Sequence, residues 1–196
     1  MAWSPGTWTL GPITVFDTET TGAGAGDRVV SLGAVRLDAA LEPEATLHLA
    51  FSPGIPCHWG AIRVHGMSDA FLACHPPFEA HADEVATFFN GHAAAAHNFA
   101  FDRRMLGGEF ARLGLDPPWG TGLCTMQAWR RAYPGERVGL ARAAAACGFE
   151  RETALHGALE DAWLAVQLLR HLHGLPSVPM RLHGITNGPA HSLAEA

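Results

Sequence analysis

The apolar and polar positions of the chain fall into strand-like runs first and helical stretches later. Three apolar runs come early, "ITVFDT" from Ile13, "RVVSLGAVRL" from Arg28 and "TLHLAFSP" from Thr46, each bounded by Gly, Pro or Asp. Short connections between such runs predict an antiparallel meander, with "GAGAGD" as a flexible hairpin loop between the first two. After Pro53 the texture turns helical, first around Ala70 and Phe71 and then over "PPFEAHADEVATFFNG", where Pro77 stands near the start and Gly91 just past the end. His92 to Ala96 reads as a short buried strand, Asn98 as an N-cap, and "FAFDRRMLGGEFARLG" as an amphipathic helix ending at Gly114. "PWGTGLCT" supplies a fifth strand, and "TMQAWRRAY", "LARAAAACG" and "LEDAWLAVQLLRHLHG" are helices. This order predicts an α/β fold, a mixed five-stranded sheet flanked by helices. Trp59, Trp119, Trp129 and Trp163 are expected in the core or half-buried, and His97 as a packed or hydrogen-bonded histidine. His171, His173, His183 and His191 are placed on the surface, as are Arg103 and Arg104 on a solvated helix face.

Composition narrows the class without choosing a function. With 196 residues, 48% of them hydrophobic, the chain suits one well-buried domain, followed from Gly174 by a short C-terminal tail rich in Pro, Gly and His. A formal charge of −6 argues against binding nucleic acid through bulk electrostatics, while leaving room for local arginine contacts or bound cations. Cys57, Cys74, Cys124 and Cys147 lie far apart with no C-x-x-C pair, as expected of free thiols in a reducing cytoplasm. No stretch approaches the roughly 20 apolar residues a membrane helix needs. The expectation is a cytoplasmic protein with no membrane partner.

The acidic residues carry the chemistry. Residues i and i+2 of a strand share a face, so Asp17 and Glu19 in "VFDTETTG" project together where a core strand is ending. They would repel each other there unless something positive lay between them. Asp102 stands where the chain leaves the apolar "AAAAHNF", and Asp161 lies in a helix striped by Leu155, Leu159, Ala162, Val166 and Leu169. His156 precedes Asp161 by five residues, roughly 140° apart on an ideal helix, so the two can face one site only if His156 sits in the approach before the helix. Gly157 would loosen that approach, leaving a mobile histidine over a fixed aspartate; Glu160 reads as a solvated neighbour. Four acids clustered in apolar surroundings would have strongly raised pKa values, and divalent metal removes the difficulty. Oxygen ligands select hard ions, Mg²⁺ or Mn²⁺. Two such ions about 4 Å apart can activate water and stabilise the leaving oxygen of a phosphodiester, with a histidine nearby as base.

"FDTETTG", "HNFAFD" and "LHGALEDA" resemble, in order and spacing, the three motifs of the DEDDh branch of the DnaQ-like 3′→5′ exonucleases, the family of the epsilon proofreading subunit of bacterial replicative DNA polymerase. The resemblance runs from about Ile13 to His171 and includes "VHGMSDAFL". It implies a ribonuclease H-like fold over a domain of residues 10–173, with Asp17, Glu19, Asp102 and Asp161 binding two Mg²⁺ or Mn²⁺ ions and His156 as general base. It further implies that Thr18, Thr20 and Phe101 hold the terminal nucleotide, with His65 lining the same pocket and Asn98 positioning the second motif. The implied activity is 3′→5′ hydrolysis of single-stranded DNA ends to nucleoside 5′-monophosphates, in proofreading or repair, with a DNA polymerase subunit as an implied partner. Three alternatives stand beside it: an exoribonuclease trimming RNA 3′ ends, as RNase T or oligoribonuclease does, a non-catalytic nucleic-acid-binding module, and a dinucleotide-binding protein built on the glycine-rich loop.

Overall fold

Strand β1 (Ile13–Thr20) has apolar residues on both faces, so it is buried on both sides and takes the middle of the sheet. It pairs antiparallel with β2 (Val29–Leu37), which pairs antiparallel with β3 (Pro43–Ala50), giving the expected meander. On its other side β1 runs parallel to β4 (Ala93–Ala96), and β4 parallel to β5 (Gly122–Cys124), so the order is β3-β2-β1-β4-β5. The computed structural model describes residues 11–120, 122–151 and 156–180; Leu155 and the part of the expected tail from 181 onward, with His183 and His191, lie outside them.

Alternation along β1 divides the core in two. Phe16, with Leu32, Ala34, Leu47 and Leu49, packs against α3 (Ala82–Phe89) and α4 (Phe99–Arg112). Ile13 and Val15, with Val35 and Leu37, pack against Leu159, Ala162, Trp163, Val166 and Leu169 of α7 (Ala158–Leu172). Each such side chain stabilises the fold by about 1.5–3 kcal/mol when fully buried, and a one-residue slip of β1 would turn every one of them to the wrong face. Asp17 and Glu19 share the parity of Ile13 and Val15, so the register that fills the core also aims both acids toward α7. Helices α5 (Thr125–Ala132) and α6 (Leu140–Ala146) close the structure around the far end of α7 through Ala128, Trp129, Ala143, Leu168 and Leu172.

One glycine sets how closely α7 approaches. Gly33 of β2 lies opposite Asp17, and a Cβ added there would fall 2.1 Å from the Leu159 backbone nitrogen and 2.2 Å from the Ala158 carbonyl carbon. The first turn of α7 therefore rests on bare strand backbone.

Several expectations need correction. Helix α1 (Trp59–His65) was not foreseen, and α2 (Asp69–Leu72) is the short piece expected around Ala70. Trp59, expected in the core or half-buried, is 70% exposed, with the Arg63 guanidinium 5.1 Å above its ring. Successive residues of a helix turn by about 100°, so the face of α1 carrying Gly60, Ala61, Val64 and His65 leaves Trp59 on the opposite side. Trp119, Trp129 and Trp163 are buried as expected. Asn98 precedes α4, but with φ 76° and no side-chain capping bond. Only His97 and Asn98 separate β4 from α4, and the left-handed conformation that Asn tolerates makes that reversal in place of a capping geometry. Past Gly174, Leu175 and Val178 pack on the α7 side of the core, and Arg170 donates to Pro176 O at 2.9 Å. This stretch, read as tail, is thus docked.

Candidate active site

The carboxyl ends of the parallel strands β1 and β4 lie together, and helices from both sheet faces begin beside them. In open α/β sheets that is where ligands bind. Here the edge opens into a pocket of about 420 Å³ lined by Asp17, Thr18, Glu19, Thr20, His65, Asn98, Phe101, Asp102, His156 and Asp161. Every site residue singled out in the sequence reaches this one cavity. Glu160 is not in its lining.

Each acid arrives by a different local device. Asp17 and Glu19 come from the last turns of pleat in β1, and Asp102 from the first turn of α4, where it is 2% exposed. Thr18 holds Asp102, its backbone N–H and its hydroxyl donating to the same Oδ1 at 3.0 and 2.8 Å. Thr18, expected beside the nucleotide, therefore spends both donors on a carboxylate. Asp161 sits in the first turn of α7, brought close by Gly33. His156 lies before α7 as the helical geometry required, its Nδ1 3.3 Å from Asp161 Oδ2 and its side chain 44% exposed. Its backbone N–H donates to Val64 O at 2.9 Å, so the approach expected to be mobile is tethered to α1.

The pocket rim is also braced. Arg104, read as a solvated arginine, donates to Ala23 O at 3.2 Å and Gly24 O at 3.3 Å and lies 5.3 Å from the centre of the Phe101 ring. Asp27 accepts from Thr21 Oγ1 at 2.8 Å and Gly24 N at 2.6 Å, which fixes the glycine loop from the inside. His65 is buried with Nδ1 accepting from Met67 N at 3.1 Å, and burial lowers its pKa. His97 bridges Thr125 Oγ1 at 3.0 Å and Val138 O at 2.7 Å, the hydrogen-bonded role expected of it.

Burial and mutual repulsion set the charge state. Burial, then the neighbouring Asp102, Asp161 and Glu19, holds Asp17 well above the usual carboxylate range. Burial and Asp161 push Glu19 up to about 7, against the opposing pull of His156 and Arg151. Burial raises Asp102 to about 7 in spite of the two Thr18 bonds. Glu19 Oε1 is buried with no hydrogen-bond partner among the described residues, and ligand atoms of Glu19, His156 and Asp161 lie within 4.8 Å of one another. A hard divalent cation fits the carboxylate oxygens of this cluster, because it would satisfy the orphaned oxygen and relieve the repulsion together, with the imidazole left beside it.

Sequence reasoning missed Arg151. Its Nη2 donates to Asp161 Oδ1 at 2.5 Å. A basic side chain just ahead of the third motif was the available signal.

The exonuclease family model RNase_T matches residues 14–169. The chain belongs to this exonuclease family. Among its relatives, the DNA polymerase III subunit epsilon of Haemophilus influenzae is 35% identical over 159 residues, covering 76% of this chain and 62% of that protein. The epsilon subunit of Rickettsia felis is 29% identical over 170 residues, covering 82% of this chain and 73% of that protein. The chain thus spans 62% of the length of the Haemophilus relative, and the same share of the Pasteurella multocida subunit. Exonuclease X in complex with 5′ overhanging duplex DNA superposes with a TM-score of 0.66 at 24% identity, covering 83% of this exonuclease chain and 91% of that one. E. coli Exonuclease I with a dT13 oligonucleotide gives a TM-score of 0.74 at 17% identity, covering 83% and 41%. These likenesses establish the fold as ribonuclease H-like. Among the described residues no helix is long and apolar enough to cross a membrane.

Proposed function

We propose that the domain of residues 10–173 is a 3′→5′ exonuclease that requires two Mg²⁺ or Mn²⁺ ions and releases nucleoside 5′-monophosphates from single-stranded DNA ends. One observation carries the reading: Asp17, Glu19, Asp102 and Asp161, from three separate segments, converge on one pocket beside the His156 imidazole. The four carboxylates would hold the ions, with Asp17, set among the other three, as the least replaceable. Bound ions would supply Lewis-acid stabilisation of the phosphoryl oxygens and a water of lowered pKa. His156 supplies the base: with Nδ1 against Asp161, Nε2 remains to accept the proton of the attacking water. Phe101, Thr20, His65 and Asn98 border the position of the terminal nucleotide, and the Phe101 ring suits stacking on a base. Thr18 acts on the nucleotide through Asp102.

DNA is favoured because the relatives are subunits of DNA polymerases and the neighbouring exonucleases were solved on DNA. The same names support a DNA polymerase subunit as partner and proofreading as the role, which co-elution with a polymerase catalytic subunit would test. The decisive experiment is a gel assay of 5′-labelled single-stranded DNA and matched RNA with Mg²⁺, Mn²⁺ or EDTA. A ladder shortening from the 3′ end of DNA, with metal only, is expected. Faster loss of RNA would reassign the chain to RNA 3′-end trimming, and binding without cleavage would make it a non-catalytic module.

A further inference from the structure

Asp161 has both of its oxygens engaged. Oδ1 accepts from Arg151 at 2.5 Å, and Oδ2 faces His156 at 3.3 Å. The Arg151 side chain is 11% exposed, its Nε has no hydrogen-bond partner among the described residues, and its charge acts on Asp17 and Glu19 as well. A guanidinium this little exposed, paired with Asp161 and acting on two further acids, is a counter-ion to the whole cage rather than a surface ion pair. It lies beyond α6, three residues past Gly148 with its φ of 84°, on the same connection that carries His156.

A guanidinium keeps its charge at any workable pH, so it can yield an oxygen only by moving. On the reading that Asp161 is a metal ligand, an entering divalent ion competes with Arg151 for the Asp161 carboxylate. Two divalent ions also bring four positive charges to four carboxylates, which makes the guanidinium surplus and repelled. We propose that Arg151 is the resident counter-ion of the acidic cage, holding Asp161 in place until a divalent metal ion displaces it. A residue that merely supports Asp161 would aid metal binding; a resident counter-ion competes with it. The two roles predict opposite signs.

The test is Mn²⁺ titration of EDTA-stripped protein by calorimetry. Arg151→Gln should bind Mn²⁺ about 10- to 100-fold more tightly than wild type, the factor equivalent to one charge-assisted hydrogen bond no longer broken on entry. Arg151→Lys, which keeps the charge, should stay near wild type. Equal or weaker binding by Arg151→Gln overturns the proposal. Wild-type protein provides a second measurement that needs no variant to fold: modification of Arg151 by phenylglyoxal, read by mass spectrometry, should rise when Mn²⁺ is added. Unchanged or reduced modification at saturating Mn²⁺ also overturns it. If wild type binds no Mn²⁺ at all, the metal-site reading fails instead.

Discussion

Replacing Asp102 with Asn should stabilise the protein in EDTA at pH 8 while destroying its activity. Asp102 is 2% exposed, and burial moves its pKa from 3.8 to about 7. A carboxylate whose folded pKa is raised above its unfolded value costs nothing while protonated in both states. Stability is then lost as the pH climbs from the unfolded value through the folded one. The shift is about three units at about 1.4 kcal/mol each, so ionised Asp102 costs roughly 4 kcal/mol at pH 8. Repulsion shared with the other acids and water in the pocket reduce this to about 2–4 kcal/mol. Asn keeps an oxygen for the Thr18 donors and carries no charge. For a domain of this size the gain corresponds to roughly 4–15 °C in Tm. Melting curves at pH 5 and pH 8 in EDTA would measure it, with the difference between variant and wild type cancelling the titration of the histidines. The two proteins should differ little at pH 5 and most at pH 8, and saturating Mn²⁺ should favour the wild type. A variant less stable than wild type at pH 8, or a difference independent of pH, would refute the burial of an uncompensated carboxylate.

Three further outcomes follow from named contacts. His156→Ala should lower kcat about 10²- to 10⁴-fold while leaving the fold and Mn²⁺ binding largely intact, since on the proposed reading it removes the base at the pocket mouth; an unchanged rate would remove His156 from that role. Gly33→Ala should destabilise by about 1–3 kcal/mol and reduce activity more than stability suggests, because the new Cβ forces the first turn of α7, and Asp161 with it, away from the sheet. Urea unfolding beside nuclease rates checks this, and full activity would contradict the close approach. Thr18→Val keeps the backbone donor to Asp102 and loses the hydroxyl, so half-saturating Mn²⁺ should rise about tenfold, the equivalent of one hydrogen bond of about 1.4 kcal/mol.

What could be read in advance depended on periodicity and parity. The sheet was legible because β1 and β2 send side chains to both cores while β3 sends Leu47 and Leu49 to one, and α7 because its stripe is sustained over four turns. The pairing of Asp17 with Glu19 and the exclusion of His156 from α7 needed only the repeats of strand and helix. Helix α1 escaped because it has seven residues and buries only His65, so it presents no period to detect. Arg170 escaped for another reason. It looks like an ordinary basic residue in the last turn of a helix, yet it is fully buried, donating to Leu41 O and to Glu42 Oε1 at 3.0 Å from across the fold. A charge satisfied by a partner so distant in the sequence leaves no local trace.

The same distinction separates the acids from the residues that hold them. The carboxylates stand in short motifs because each occupies the end of an element, where the chain must leave the core. Of their supports only Thr18 stands in a motif, and its donors turn to another segment; a glycine chosen for the helix above it and an arginine in the connection beyond α6 stand in none. Two of the four acids are gripped by such donors, while Glu19 keeps a buried oxygen unspent. On the proposed metal-site reading, an entering cation therefore gains most at Glu19, where it breaks no existing bond, and less at Asp161, where it competes with Arg151. Glu19 should thus govern how readily metal enters, and Asp161 how completely the site fills.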